Sequence, residues 1–123
     1  MIGPGFNKAE LEYAVMLAVL NFQTEFARSH YSRVQVQIFD ELIEVILTRN
    51  TSIPAEEKLA RSPRGQALLR QFHQALFDSC RDVLRERIEC AIGAEIESIT
   101  SDLDVPERKI TLIIRRKVPT GVF

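Results

Sequence analysis

The chain has no tryptophan and only two cysteines, two methionines and two histidines. Cys80 and Cys90 fall in one helical stretch, roughly 15 Å apart along its axis, which is too far for a disulfide within the chain. Both read as buried thiols in a reducing cytoplasm. His30 and His73 lie on different elements, and no spacing of histidine and cysteine approaches the roughly four converging ligands of a zinc site. We therefore expect no metal and no cofactor. Glycine and proline number five each, with no repeat and no low-complexity segment, which excludes a collagenous or disordered chain. Charge of one sign is also missing. Sixteen basic and 17 acidic residues leave a net charge of −1, so no global field draws the protein to nucleic acid or to an anionic membrane. No apolar run is long enough to span a bilayer, and the N-terminus lacks the pattern of a signal peptide.

What remains is a 123-residue chain, 46% apolar and 27% charged, with enough material for one real core. Its organising stretch is Pro63–Ile92, read as one long helix. Ser62 is the N-cap, Pro63 the first helical residue, and Gly93 suits the left-handed position after the last turn. Gly65 falls in the first turn, where its low helix propensity does least harm. Leu69, Phe72, Leu76, Cys80, Val83 and Ala91, with Leu84 and Ile88 beside them, form a stripe at three-to-four spacing. Arg81, Arg85 and Arg87 lie on other faces and read as solvated.

Residues 1–6 read as a flexible leader, 7–118 as a single domain and 119–123 as a tail. Asn7 and Glu10 have capping-box spacing and open a helix from Lys8 to about Ser29. Leu11, Val15, Ala18, Phe22 and Phe26 make one stripe of it. Met16, Leu17, Val19 and Leu20 add apolar surface elsewhere, so this helix is expected to be covered on two sides. Arg33–Phe39 alternates as a half-buried strand, and Leu42–Thr48 has the continuous apolar run of a central one. Pro54–Ala60 reads as a short helix. Ala94–Ser101 is a third strand whose alternation breaks between Ile96 and Ile99, as at a bulge. Asp102–Glu107 reads as a connection and Lys109–Lys117 as a fourth strand. The order α-β-β-α-α-β-β predicts an α+β fold with a mainly antiparallel four-stranded sheet and the long helix packed on one face.

No set of residues forms a recognisable catalytic constellation, and we expect no enzyme. Cys80 and His73 are seven residues apart, roughly 10 Å on one helix face, beyond the hydrogen-bond reach of a nucleophile and its base. Ser101-Asp102-Leu103-Asp104 lacks the glycine and distal glutamate of a calcium loop and reads as a turn. Arg115, Arg116 and Lys117 have two readings. One is contact with a phosphate or an acidic partner, and the other is an edge strand protected by charge against aggregation. The stretch from Arg49 to Ser62 is a loop on a rigid scaffold, and Pro54, Glu56 and Lys58 are its candidate binding residues.

An ordered set of residues resembles the MpsC family of small bacterial proteins. The set begins with Ile53-Pro54-Ala55-Glu56-Glu57-Lys58-Leu59-Ala60 and Gly65. It continues through Leu68-Leu69, Leu76, Arg81, Leu84, Ile88 and Gly93 to Ser101-Asp102 and Glu107-Arg108. The likeness runs from about Ala9 to Lys117. The chain departs from it at Ser29-His30-Tyr31-Ser32, at Asn50-Thr51-Ser52-Ile53 and at His73. The resemblance implies an accessory or regulatory role beside a cation-linked, membrane-potential-generating system that is also tied to uptake of inorganic carbon. We therefore expect a non-enzymatic cytoplasmic protein, peripheral to the inner face of the membrane, that acts by binding a protein partner in a membrane transport complex. The alternative is a small nucleic-acid- or anion-binding module that uses the basic C-terminal strand.

Size adds an expectation about assembly. A compact domain of this length is roughly 36 Å across, whereas a 30-residue helix spans about 45 Å. The overhang carries apolar side chains that a second copy would cover. We expect a homodimer whose interface includes Met16, Leu17, Leu20, Phe72, Leu76 and Val83. A kink near Ser79-Cys80, folding the helix back on a monomer, is the competing account.

Overall fold

The computed structural model describes residues 7–27, 33–49 and 54–117. The expected leader and tail, and the family departures at residues 29–32 and 50–53, lie outside them. Three α-helices, α1 (Lys8–Phe22), α2 (Pro54–Leu59) and α3 (Pro63–Ile92), accompany four strands, β1 (Arg33–Ile38), β2 (Leu42–Thr48), β3 (Ile96–Asp104) and β4 (Lys109–Arg116). The fold is α+β, and every strand pairing is antiparallel in the order β1-β2-β4-β3.

The pairing register shows why the core sits on one side. Ile38, Ile43, Ile114 and Ile99 stand in one row across the sheet, and Val36, Val45, Leu112 and Ser101 in the next. Val34, Leu47, Ile110 and Leu103 make the third row. Because side chains alternate across a strand, these rows share a face. Val15, Val19 and Phe22 of α1 join the same core as Phe77, Leu84, Ile88 and Ile92 of α3. The opposite face carries Arg33, Gln35, Gln37, Thr100, Asp102, Asp104 and Arg115, all exposed, around half-buried Ile46 and Ile113. The helices therefore cover one face of the sheet, as expected.

Several details depart from the sequence reading. The first helix ends as α-helix at Phe22 and continues as a π-helical turn, Gln23–Ala27. There the Gln23 N–H is shared between the Leu20 and Val19 carbonyls. The third strand starts at Ile96 and runs on to Asp104, so Asp102–Asp104 belong to the sheet and only 105–108 turn. The Asp104 carboxylate accepts from the Glu107 N–H at 3.1 Å, and Arg108 takes a left-handed φ of 56° to close that turn. The expected break of alternation is a register shift between Ile96 and Ser98. One extra residue there returns both Ile96 and Ile99 to the core face, where each is buried. β4 lies between β2 and β3, so its basic end is not an edge strand.

On α3 the buried positions are Gly65, at the corner with α2, and Phe77, Leu84, Ile88 and Ile92, which face the core. Phe72 and Leu76, which share the expected stripe with Cys80 and Val83, are exposed. The spacing of seven and then four residues from Phe77 defines the inner face, and Phe72 falls outside its arc. Cys80 is half-buried and Cys90 exposed, so neither is the fully buried thiol that was expected. The arginines are not simply solvated either. Arg87 pairs with Glu25 of the π-helical turn at 2.8 Å, and the Arg81 guanidinium lies 5.3 Å from the centre of the Phe77 ring.

The corner between α2 and α3 depends on a glycine. The Ser62 hydroxyl accepts from the Gly65 N–H at 3.0 Å, and the Gln66 side chain donates to the Ala60 carbonyl at 2.9 Å. A Cβ on Gly65 would stand 1.8 Å from the Leu59 carbonyl oxygen, backbone that has no room to yield. Propensity in the first turn is thus not what selects glycine here; close approach is. Gly65→Ala should cost about 2 kcal/mol or more and lower Tm by several degrees in a thermal melt. An unchanged Tm would mean the corner opens freely.

Candidate functional site

Three places on the molecule combine chemistry with access. The first is the pair His73 and Ser101. Ser101 is the single polar residue in the three inner rows of the sheet and is 8% exposed. A buried hydroxyl needs a partner, and His73 supplies it from α3, with Nε2 and the Ser101 Oγ 2.7 Å apart. Burial lowers the pKa of His73 below the usual histidine value, and the Asp102 charge opposes part of that shift. The neutral ring is thus favoured. Among the described residues no group of three or more histidine, cysteine or acidic side chains comes together to hold a metal. Asp102 follows Ser101 but points to the opposite, exposed face of the sheet. The three do not converge as a catalytic triad, and the His73–Ser101 bond locks helix to sheet.

The second place is the rim of the sheet beneath α2. Glu56 pairs with Arg49 at 3.4 Å and Glu57 with Arg108 at 3.8 Å. The Arg49 N–H donates to the Arg108 carbonyl at 3.1 Å, which ties the end of β2 to the turn before β4. Glu56 therefore anchors α2 to the sheet, while Pro54 and Lys58 are exposed on its outer side. The basic run at the C-terminal end of β4 is divided. Arg115 stands exposed on the open sheet face. Arg116 donates to the Phe39 carbonyl at 3.3 Å and also to the Asp40 carbonyl, which clamps the β1–β2 turn. Lys117 pairs with Glu95 at 3.3 Å. Alternation along the strand sends neighbouring side chains to opposite faces, so three adjacent cations do not make one patch.

The third place is the outer surface of the helices. Ala14, Leu17, Ala18 and Asn21 of α1 face Arg87, Cys90 and Ala91 of α3 across an open, mostly apolar groove of about 460 Å³. Beyond α1, the first half of α3 presents Leu68, Phe72 and Leu76 to solvent, and Phe72 is 69% exposed. Leu59 at the end of α2 is exposed beside them in sequence. Of the expected interface residues, Leu17, Phe72 and Leu76 are exposed, while Met16, Leu20 and Val83 are half-buried. Leu68 is exposed as well and was missed, because its neighbour Leu69 fitted the expected stripe better.

The depressed pKa of His73 has a consequence for stability. Between the unfolded pKa of about 6.5 and the lower folded value, the unfolded chain binds more protons, so stability rises with pH there. The contribution is fully present above about pH 6.5 and is lost as pH falls towards the folded pKa. Melts at pH 5.5 and 7.5 should show a lower Tm at the acid end, and His73→Gln should flatten that difference. An equal slope in the variant would remove His73 as its source.

No curated protein and no solved structure matches the chain. A family model does. It is described as Na+-translocating membrane potential-generating system (MpsC), and it matches residues 7–115, from the cap of α1 to the last residue but one of β4. The match takes in all four strands except the last residue of β4, the α2–α3 corner and the exposed half of α3. The chain belongs to the MpsC family.

Proposed function

We propose that this protein is a non-enzymatic cytoplasmic accessory or regulatory protein that binds a protein component of a cation-linked, membrane-potential-generating system coupled to inorganic-carbon uptake. The family description names a Na+-translocating membrane potential-generating system, and the inorganic-carbon link is part of the proposal. The observation that carries a binding role is the run of large apolar side chains left in water on α2 and α3: Leu59, Leu68, Phe72 and Leu76. Leaving such side chains exposed forgoes roughly 1.5–3 kcal/mol of burial each, which a contact surface recovers on binding. Among the described residues no helix is long and apolar enough to cross a membrane, so the reading assigns membrane contact to the partner. Lys58 and Pro54 flank this surface on α2 and are the polar and conformational handles of the proposed contact. The second reading, a nucleic-acid- or anion-binding module, has less support because Arg116 and Lys117 are engaged within the fold.

Affinity purification of the tagged chain from its native cell tests the proposal. Membrane subunits of a cation-transporting system should be recovered with the protein, and Lys58→Glu should reduce that recovery at least about threefold with Tm unchanged. Glu56→Gln should instead show a stability cost of under about 1 kcal/mol, the scale of a partly exposed ion pair. Recovery of nucleic acid with no protein partner would reverse the order of the two readings.

A further inference from the structure

We infer that the outer edge of β1 is the seat of a second copy of this chain: two β1 strands pair antiparallel about a two-fold axis at Val36 and join the two sheets into one. The order β1-β2-β4-β3 leaves β1 and β3 as the edges. The Phe39 N–H donates to the Leu42 carbonyl at 2.7 Å, so these two form a hydrogen-bonded pair. Bonded pairs alternate with non-bonded ones along an antiparallel ladder. The register makes Gln37–Glu44, Gln35–Ile46 and Arg33–Thr48 the bonded ones. Val34, Val36 and Ile38 therefore turn both N–H and carbonyl towards the edge. Native edges are blunted by bulges and by charge. β3 has both, with a register shift between Ile96 and Ser98 and exposed Glu97, Asp102 and Asp104. Between Val34 and Ile38, β1 has neither, and its exposed side chains there are the neutral Gln35 and Gln37. Among the described residues it is the unprotected edge.

The strand complements itself in the register that uses all three outward residues, as an isologous contact requires. With the axis at Val36, Val34 pairs with the partner's Ile38 and Val36 with the partner's Val36, all on the helix side. On the open face Gln35 meets the partner's Gln37, and each amide can both donate and accept. Arg33 meets the partner's Phe39, which is 51% exposed, and a guanidinium over an aromatic ring is a favourable contact. The helix layer fits as well. α1 lies against β1 and α3 against β3, so one helix serves two strands. Two strands occupy about 9–10 Å of sheet, and helices pack about 8–10 Å apart. Joining the sheets thus sets α1 beside the partner's α1 at packing distance. Met16 and Leu20 stand about 200° around α1 from Ala14 and Ala18, which face α3. Both are half-buried and lie on the flank that meets the partner. The second cover expected for this helix is the partner's α1. None of these residues belongs to the exposed apolar surface of α2 and α3, so the dimer does not depend on the proposed transport partner.

Sedimentation equilibrium of the full chain decides the matter. Wild type at 50 µM should sediment at twice the 14.0 kDa chain mass. Gln35→Lys with Gln37→Lys should weaken the dimer at least about tenfold, since the register sets like charges opposite each other on both sides of the axis. Gln35→Glu with Gln37→Lys differs from it at one position and should return to within about threefold of wild type, because unlike charges then face each other. Both positions are exposed, so circular dichroism should report an unchanged fold. As a check of register, Gln35→Cys chains mixed with Gln37→Cys chains, in a Cys80→Ser, Cys90→Ser background, should cross-link under mild oxidation faster than either alone. A 14.0 kDa species throughout would overturn the inference and leave the edge to an extended segment of a different protein. So would a dimer indifferent to the paired lysines, a glutamate–lysine variant that stays weak, or a mixture that cross-links no faster than its parts.

Discussion

A sheet with one apolar face imposes the rest of this architecture. Three rows of side chains, led by Ile43, Ile114 and Ile99, must leave water together, and only helices on that side can cover them. α1 and α3 do so with Val15, Val19, Phe77, Leu84 and Ile88. Every other feature adjusts to that contact. The bulge near Ile96 turns one more isoleucine into it, and Glu89 accepts from the Ile96 N–H at 2.7 Å to start the strand in register. The π-helical turn brings Glu25 to Arg87 and so fastens the end of α1 across α3.

Polar groups are spent on joints between elements and not on a cleft. His73 satisfies the hydroxyl of Ser101, Arg116 clamps the β1–β2 turn, and Arg49 and Arg108 hold α2 at the rim. From sequence alone, His73 was weighed as a base and Arg116 as a binding residue. Together these joints account for how a single sheet, two long helices and a short one hold one arrangement. Among the charged side chains that face outward on the helices, Leu59, Leu68, Phe72 and Leu76 are apolar, and they are the surface on which this protein meets another protein in our reading.

The long helix links structure to that role. Its second half belongs to the core, and its first half carries Leu68, Phe72 and Leu76 away from it. The glycine corner at Gly65 fixes where that first half points, because the Leu59 carbonyl occupies the space a side chain would fill. A helix aimed in this way presents its ridge at a fixed angle, so binding requires little reordering.

The sequence alone determined the elements, the α+β class, the family and the existence of surplus apolar surface. Caps at Ser62 and Gly93, alternation in β1 and β2, and the break before Ile99 are local signals, set by neighbours a few residues away. The bounds of the third strand were misread because Asp102–Asp104 have turn-forming side chains, and only pairing with β4 makes them strand. Tertiary structure alone decided which face of α3 is inside, since several overlapping apolar arcs fit a helix this long. It also decided that β4 is central, that Arg115, Arg116 and Lys117 separate, and that His73 serves Ser101. Those outcomes depend on residues tens of positions apart, brought together when the sheet and its helices bury one common face. No local pattern encodes that distance.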